Sequence, residues 1–261
     1  MITSSDAAGE TSPGWDAATY DKVANPHVRW GRAVLDRLRL AGDEVVLDAG
    51  CGTGRVTEVL LDSFPSVRVI GLDASPDMVA RAGERLAGYA DRISLVVGDL
   101  LEPLLAQLPA GWSGPVDAVL STATFHWVHD HDRLFANLAA ALRPGGQLVA
   151  QCGGAGNIAA VQAAVVELGG GVDDTYFEGP SETEARLAGA GFTDVSCWLQ
   201  PEPTGFASLA ELETFLATVV LRHQVAAAGP EEGPVLVHEV ATRLPGGVVD
   251  YVRLNMVARR S

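Results

Sequence analysis

The stretch that decides the fold is Val45-Val46-Leu47-Asp48-Ala49-Gly50-Cys51-Gly52-Thr53-Gly54. Its branched apolar opening has the composition of a buried strand, and it runs straight into three glycines at alternate positions. Glycine there permits left-handed backbone and lets the main chain approach a ligand closely. Residues 53–63 follow with Val56, Val59 and Leu60 at helical spacing. Strand, glycine turn and helix are the parts of an α/β ligand-binding unit, with the ligand at the carboxyl end of the strand. The dinucleotide fingerprint G-x-G-x-x-G is not met: from Gly50, the third glycine falls at Gly54 and position 55 is arginine. A nicotinamide-dependent oxidoreductase is disfavoured on that spacing.

Outward from this unit, strands and helices alternate. Apolar runs at 67–72, 93–97, 116–121 and 147–151 read as strands, and 76–87 and 133–142 as helices. Pro76 suits a first helical turn, and Pro144-Gly145-Gly146 reads as a stop. An amphipathic helix at 28–40 precedes the first strand. Farther on, 181–190 and 209–225 read as helices, 194–199 and 250–258 as strands. Glycine- and proline-rich joints fall at 169–180, 200–205, 229–234 and 245–247. Strands spaced by helical segments predict parallel βαβ units in an α/β, doubly wound sheet.

Composition narrows the function. The 261 residues carry 33 acidic and 18 basic side chains, a net charge of −15, and Lys22 is the single lysine. Such a chain repels phosphate backbones, so neither nucleic acid nor an anionic membrane is expected as a partner. Residues 1–15 have neither a basic start nor an apolar core, so no secretory signal is expected. Residues 144–166 lack charge but contain five glycines, Gln151 and Asn157, too polar and broken for a membrane span. Cys51, Cys152 and Cys197 form neither a disulfide framework nor a metal pattern, which suits a reducing cytoplasm.

Two more strand ends carry acids. Asp73 closes the second strand, where a carboxylate can accept from both hydroxyls of a ribose. Gly98-Asp99-Leu100 closes the third, where Asp99 can accept from an adenine amino group while the Leu100 backbone faces the ring. Taken singly, each aspartate is equally a turn or cap residue; three consecutive strand ends point together to adenosine.

This constellation resembles the class I S-adenosylmethionine-dependent methyltransferases. The matching stretches are VVLDAGCGTG (45–54), VIGLDASPDM (69–78), VVGDL (96–100), DAVLSTATFHWV (117–128) and LRPGGQLV (142–149), in the family's order. Within the family, WDAATY (15–20) and FHWVHDHDRLFANLAAALRPGG (125–146) are similar to small-molecule enzymes of the trans-aconitate and juvenile hormone acid methyltransferase kind. The resemblance implies a Rossmann-like seven-stranded sheet with an N-terminal helical lid and a C-terminal insertion. It divides the chain into a flexible leader, 1–14, and one domain, 15–261, with acceptor-side elements at about 155–247. It also implies the cofactor S-adenosyl-L-methionine and the product S-adenosyl-L-homocysteine. By the same resemblance, Gly50 and Gly52 belong to the loop around the methionine part, and Asp48 orients that loop. Asp73 holds the ribose, Ala74 and Met78 flank the adenine, Asp99 and Leu100 hold its edge, and Thr122 lies beside the sulfonium. Tyr20 matches an aromatic that approaches the cofactor from the amino-terminal lid.

Methyl transfer from a sulfonium needs alignment and exclusion of water more than acid–base help. A carboxylate acceptor requires no base; a phenol, amine or enol carbon profits from one, and His126 is the candidate. Alternatively, His126 fills the rim beside Trp127. The group His126, His129, His131, Asp130 and Asp132 admits a metal, but Asp130 or Asp132 as a helix cap explains it without one, and no metal is expected. Cys51 reads as a neutral filler of the glycine turn. After the fourth strand the sequence is Ser121-Thr122-Ala123-Thr124, not the Asn/Asp-Pro-Pro-aromatic signature of enzymes that methylate DNA bases and glutamine amides. The expectation is a methyltransferase for a small-molecule acceptor, through carboxylate or hydroxyl oxygen, in the style of secondary metabolism. The alternatives are a non-methylating enzyme of the same fold, such as a cyclase, or an inactive cofactor-binding partner subunit.

Overall fold

The computed structural model describes residues 26–109, 112 and 114–261. The expected leader at 1–14, together with Trp15 and Tyr20, lies outside the described residues. The elements are α1 (Pro26–Leu35), β1 (Val45–Ala49), α2 (Arg55–Ser63), β2 (Arg68–Asp73), α3 (Pro76–Arg85), β3 (Ile93–Val97), α4 (Leu104–Gln107) and β4 (Val116–Thr122). They continue as α5 (His131–Ala141), β5 (Leu142–Gly153), α6 (Ala159–Glu167), α7 (Pro180–Gly189), β6 (Phe192–Pro201), β7 (Thr204–Gly205), α8 (Leu209–Phe215), α9 (Arg222–Arg243), β8 (Val248–Val249) and β9 (Val252–Arg260).

Among the described residues, seven strands form one sheet in the order β3-β2-β1-β4-β5-β9-β6, and β7 pairs with β8 in a small ribbon. Strands β1 to β5 pair in parallel, while β9 runs antiparallel to both β5 and β6. The order reverses between β1 and β4, so the carboxyl ends of those strands flank the crevice where a doubly wound sheet takes its ligand. Helices cover both faces, as the buried strands require. Val46, Val69 and Leu120 pack under α1, α2 and α3, while Leu47, Ile70 and Val119 pack under α5 and α7. A third apolar cluster joins Trp30 to α6, α8, α9 and Tyr251 over the edge of the sheet. That layer takes in Leu212, Phe215, Leu216, Leu221, Val237 and Val240.

Local chemistry sets the helix boundaries. Ser75 accepts from the Met78 N–H ahead of Pro76, and Asp130 accepts from the Arg133 N–H at 3.0 Å to cap α5. Pro144-Gly145-Gly146 is not the helix stop. Helix α5 ends at Ala141, and the three residues sit in a register shift of β5, between the pairs Val116–Leu142 and Ala118–Gln147. Three helical stretches are not read from the sequence: the short α4, α6, and the part of α9 that begins after Gly229, whose φ of 81° breaks the helix ahead of Pro230.

Candidate active site

At the end of β1 the backbone of Gly50, Gly52 and Gly54 is left-handed, with φ of 83°, 54° and 78°. The loop folds back on β2: the N–H groups of Gly50 and Cys51 both donate to the Leu72 carbonyl, at 2.7 and 3.0 Å. On one side a Cβ at Gly50 would come within 2.1 Å of Thr124 Oγ1. At Gly52 a Cβ would meet nothing within 4 Å among the described residues. The loop therefore presents bare backbone to open space at Gly52 and is wedged against the β4 turn at Gly50. A cradle of this shape fits a small ligand lying across the ends of β1 and β4.

Beneath the loop, Asp48 is fully buried, and Thr57 Oγ1 donates to its Oδ2 at 2.6 Å. Its Oδ1 has no hydrogen-bond partner among the described residues. Desolvation pushes the carboxyl up to about 6, the Thr57 bond works against this, and Asp73 adds to it. Asp73 is half-buried and anchors the loop: Oδ2 accepts from the Gly52 N–H and Oδ1 from the Ser75 N–H, each at 2.9 Å. Ala74 is exposed beside it and Met78 is buried below. Asp99 is exposed at the end of β3, where Oδ1 accepts from the Leu101 N–H at 2.8 Å, and Leu100 is buried. Thr122 ends β4, opposite Gln151 of β5. Nine of the ten expected cofactor positions thus fall along one edge of four adjacent strands; Tyr20 lies outside the described residues. The Cys51 thiol is driven well up by burial, with Asp48 and Asp73 nearby, and stays neutral.

After Thr122 the chain turns sharply. Ala123 adopts φ of 57°, a strained value for a residue with a Cβ, and its N–H donates to the Gln151 carbonyl at 2.7 Å. The turn delivers His126, which is 9% exposed, and its Nδ1 accepts from the Gly153 N–H at 3.3 Å. Phe177 packs beside it with ring centroids 5.8 Å apart. His126, Ala123 and Phe177 line a cavity that is open to solvent. Its other walls come from α6, from residues 172–177, from Val219 and Val220, and from Tyr251 and Arg253 next to and within β9. Leu216–Val220 winds as a π-turn, with the Leu221 N–H donating to the Leu216 carbonyl, and this turn brings Val219 and Val220 to the cavity.

The three clustered histidines are divided among separate tasks. His126 faces the cavity, His129 lies against the Asp174 carbonyl at 3.0 Å, and His131 is buried against Glu178. Sequence reasoning missed Arg253, Phe177 and Glu178. For Arg253 a signal existed, since it is the one charged residue between Tyr251 and Met256 in an otherwise strand-like run.

Known proteins are similar in sequence and in fold. Residues 46–146 match the family model described as a methyltransferase domain. The chain is 37% identical over 137 residues to the trans-aconitate 2-methyltransferase of Methylobacterium nodulans, covering 52% of this chain and 49% of that one. It spans about half the length of the curated relatives it matches. A putative sarcosine dimethylglycine methyltransferase from Galdieria sulphuraria superposes with a TM-score of 0.61 at 18% identity, over 90% of this chain and 86% of that one. The [4+2]-cyclase SpnF does so with a TM-score of 0.59 at 18% identity, over 89% and 80%. Such identities speak for the fold alone. The glycine cradle and the acidic strand ends all lie within the stretch, residues 46–146, that matches a methyltransferase domain.

Proposed function

We propose that the protein methylates an ionised carboxylate oxygen of a small-molecule acceptor. The observation that carries this is the bond from the Gly153 N–H to His126 Nδ1. An imidazole nitrogen that accepts a hydrogen bond carries no proton, so the neutral ring holds its proton on Nε2. Toward an acceptor, His126 is then a donor that orients an oxygen rather than a base that strips one. A carboxylate, ionised above about pH 4, suits that arrangement, whereas a phenol or amine is left without a base. The similar trans-aconitate 2-methyltransferases, named for an acid, support the same acceptor class.

Bound S-adenosylmethionine supplies a methyl already activated on sulfur, and its transfer to a carboxylate exchanges an S–CH3 bond for an O–CH3 bond with no proton to move. For the chain's own residues, the Gly50 and Gly52 loop cradles the methionine part, with Asp48 beneath it. Asp73 holds the ribose, Ala74 and Met78 flank the adenine, Asp99 and Leu100 take its edge, Thr122 borders the reacting centre, and Tyr20 approaches from the amino-terminal side. Residues 15–261 act as one unit, with 155–247 supplying the acceptor side. No helix among the described residues is long and apolar enough to cross a membrane. Three free thiols support a reducing compartment, the cytoplasm.

The test is transfer of labelled methyl from the cofactor to a panel of acids, phenols and amines. The product label should be released as methanol by mild alkali, as only an ester allows. His126→Gln should lower the rate without changing the shape of the pH profile between about pH 6 and 9. Alkali-stable product, with a His126-dependent basic limb in the profile, would overturn the carboxylate assignment.

A further inference from the structure

The cavity beside His126 is walled mainly by hydrocarbon, from Ile158, Val161, Val165, Phe177, Val219 and Val220. Among the described residues of that wall, the acidic and basic side chains besides His126 are Asp173 and Arg253. Arg253 is engaged within the chain, its guanidinium 4.5 Å from the centre of the Trp30 ring. Asp173 Oδ1 accepts from Gln224 Nε2 at 3.0 Å, and His223 Nδ1 lies 3.0 Å from the same oxygen. The neutral amides serve the chain too. Gln224 Nε2 also donates to the Gly171 carbonyl at 3.2 Å, and Asn157 Oδ1 accepts from the Val252 N–H at 3.0 Å. What the wall offers an acceptor is hydrocarbon and one fixed acid.

Such surroundings suit the reacting carboxylate and no second anion. Transfer from a sulfonium to a carboxylate turns a cation and an anion into a neutral thioether and a neutral ester, so charge shrinks toward the transition state. Apolar walls that strip water from the reacting carboxylate therefore favour the transition state over the ground state. A second carboxylate keeps its charge throughout. Against this wall it would lose hydration without a partner and would meet Asp173, of the same sign. An apolar body gains instead, by about two- to fourfold in binding for each methylene that it lays on the wall.

We propose that the acceptor is a monocarboxylic acid with an apolar body, its carboxylate at the His126 end and its body along Val161 and Val220, and that Asp173 excludes a second anion. This rests on the carboxylate reading above and adds the apolar body and the exclusion.

The experiment measures kcat/KM of the full chain along acetate, butyrate, hexanoate and octanoate. It also sets octanoate against suberate and 4-methylphenylacetate against 1,4-phenylenediacetate, with trans-aconitate alongside. Each added methylene should raise kcat/KM about two- to fourfold. Each monoacid should exceed its diacid, and octanoate should exceed trans-aconitate, by about tenfold or more. Asp173→Asn keeps an acceptor for Gln224, and it should narrow the octanoate-to-suberate ratio by about fivefold. A purely structural role would slow both acids alike. Asp173→Ala is the second variant, and melting temperature with S-adenosylhomocysteine affinity shows whether each still folds; should both fail, the wild-type ratios decide alone. An unchanged ratio in a folded variant would overturn the role of Asp173. Diacids or trans-aconitate methylated as well as the monoacids, or a flat chain-length series, would overturn the apolar monoacid while leaving the carboxylate reading intact. Methyl transfer to none of the acids would overturn both.

Discussion

His131 Nδ1 lies 2.9 Å from Glu178 Oε2, both side chains buried, while His131 Nε2 lies 3.0 Å from the Phe125 carbonyl. Burial alone would raise the Glu178 carboxyl, but hydrogen bonds from His131, Arg186 and Thr183 hold it below the usual carboxylate range. Glu178 is therefore ionised and accepts from the His131 ring, from Thr183 and from Arg186. The consequence is mechanical. Phe125 opens the turn that carries His126 and Trp127, and the Tyr176 N–H donates to the His126 carbonyl at 2.9 Å. One buried carboxylate thus ties the 125–127 turn to the 173–178 segment on either side of the cavity.

Glu178→Gln should cost about 3 kcal/mol of stability at pH 7, because it strands a buried donor pair. The sign with pH follows from the lowered carboxyl. Its contribution is fully present above the unfolded-state value of about 4.3 and is lost as pH falls through the folded value. Urea unfolding from pH 7 down to pH 3 should show the wild-type and variant curves converging toward acid. A constant gap at every pH would exclude ionised Glu178 as the source.

Asp48 has the opposite sign. Its carboxyl is raised to about 6 by burial, so ionising it opposes folding, and stability is lost as pH rises from about 4 through about 6. Asp48→Asn keeps an acceptor for Thr57 and should be more stable than wild type at pH 7, by about 3 kcal/mol at most, with no difference near pH 4. The same variant should bind S-adenosylhomocysteine about tenfold or more weakly, since a carboxylate retained at that cost serves the loop above it. Unchanged affinity in calorimetric titration would reduce Asp48 to a structural residue.

Gly50 and Gly52 separate fold from ligand. Gly52→Ala adds a methyl that touches no atom of the described residues within 4 Å, so its cost is backbone strain at φ of 54°, about 1 kcal/mol. It should melt close to wild type but lose most of its affinity for S-adenosylhomocysteine. Gly50→Ala drives a Cβ against Thr124 and should destabilise by roughly 2–3 kcal/mol. Equal cofactor affinity in Gly52→Ala and wild type would mean the ligand does not lie over that glycine.

The sheet was legible because its signals are local. Val45 to Ala49 announces a strand by composition, the glycines announce the turn by spacing, and Asp73 and Asp99 fall at strand ends where the chain must reverse. Strand β3 is read at its observed bounds, Ile93–Val97. What escaped depends on partners distant in the chain. Helix α6, AAVQAAVVE, has no polar face to mark its period, and it is entered from Ile158 at φ of 50° without a side-chain cap. Arg253 reaches the cavity through its pairing with Gly153, a hundred residues away, and Glu178 meets His131 from a segment read as a joint. The orientation of His126 likewise depends on a backbone N–H of β5 that periodicity does not register.

Asp73 carries two assignments that can be pulled apart. Its oxygens already accept from the Gly52 and Ser75 N–H groups, yet a carboxylate has about four acceptor positions and can take ribose hydroxyls as well. Asp73→Ala removes both anchors and should cost about 2 kcal/mol of stability, with cofactor affinity falling about a hundredfold. Asp73→Asn keeps one anchor, since its single carbonyl oxygen satisfies only one of the two N–H groups, and should fall between. Ribose contact adds a signature that anchoring lacks. Wild type should bind adenosine more tightly than 2′-deoxyadenosine, and Asp73→Asn should lose that preference. If wild type binds the two nucleosides equally, Asp73 holds the loop and the ribose is recognised elsewhere.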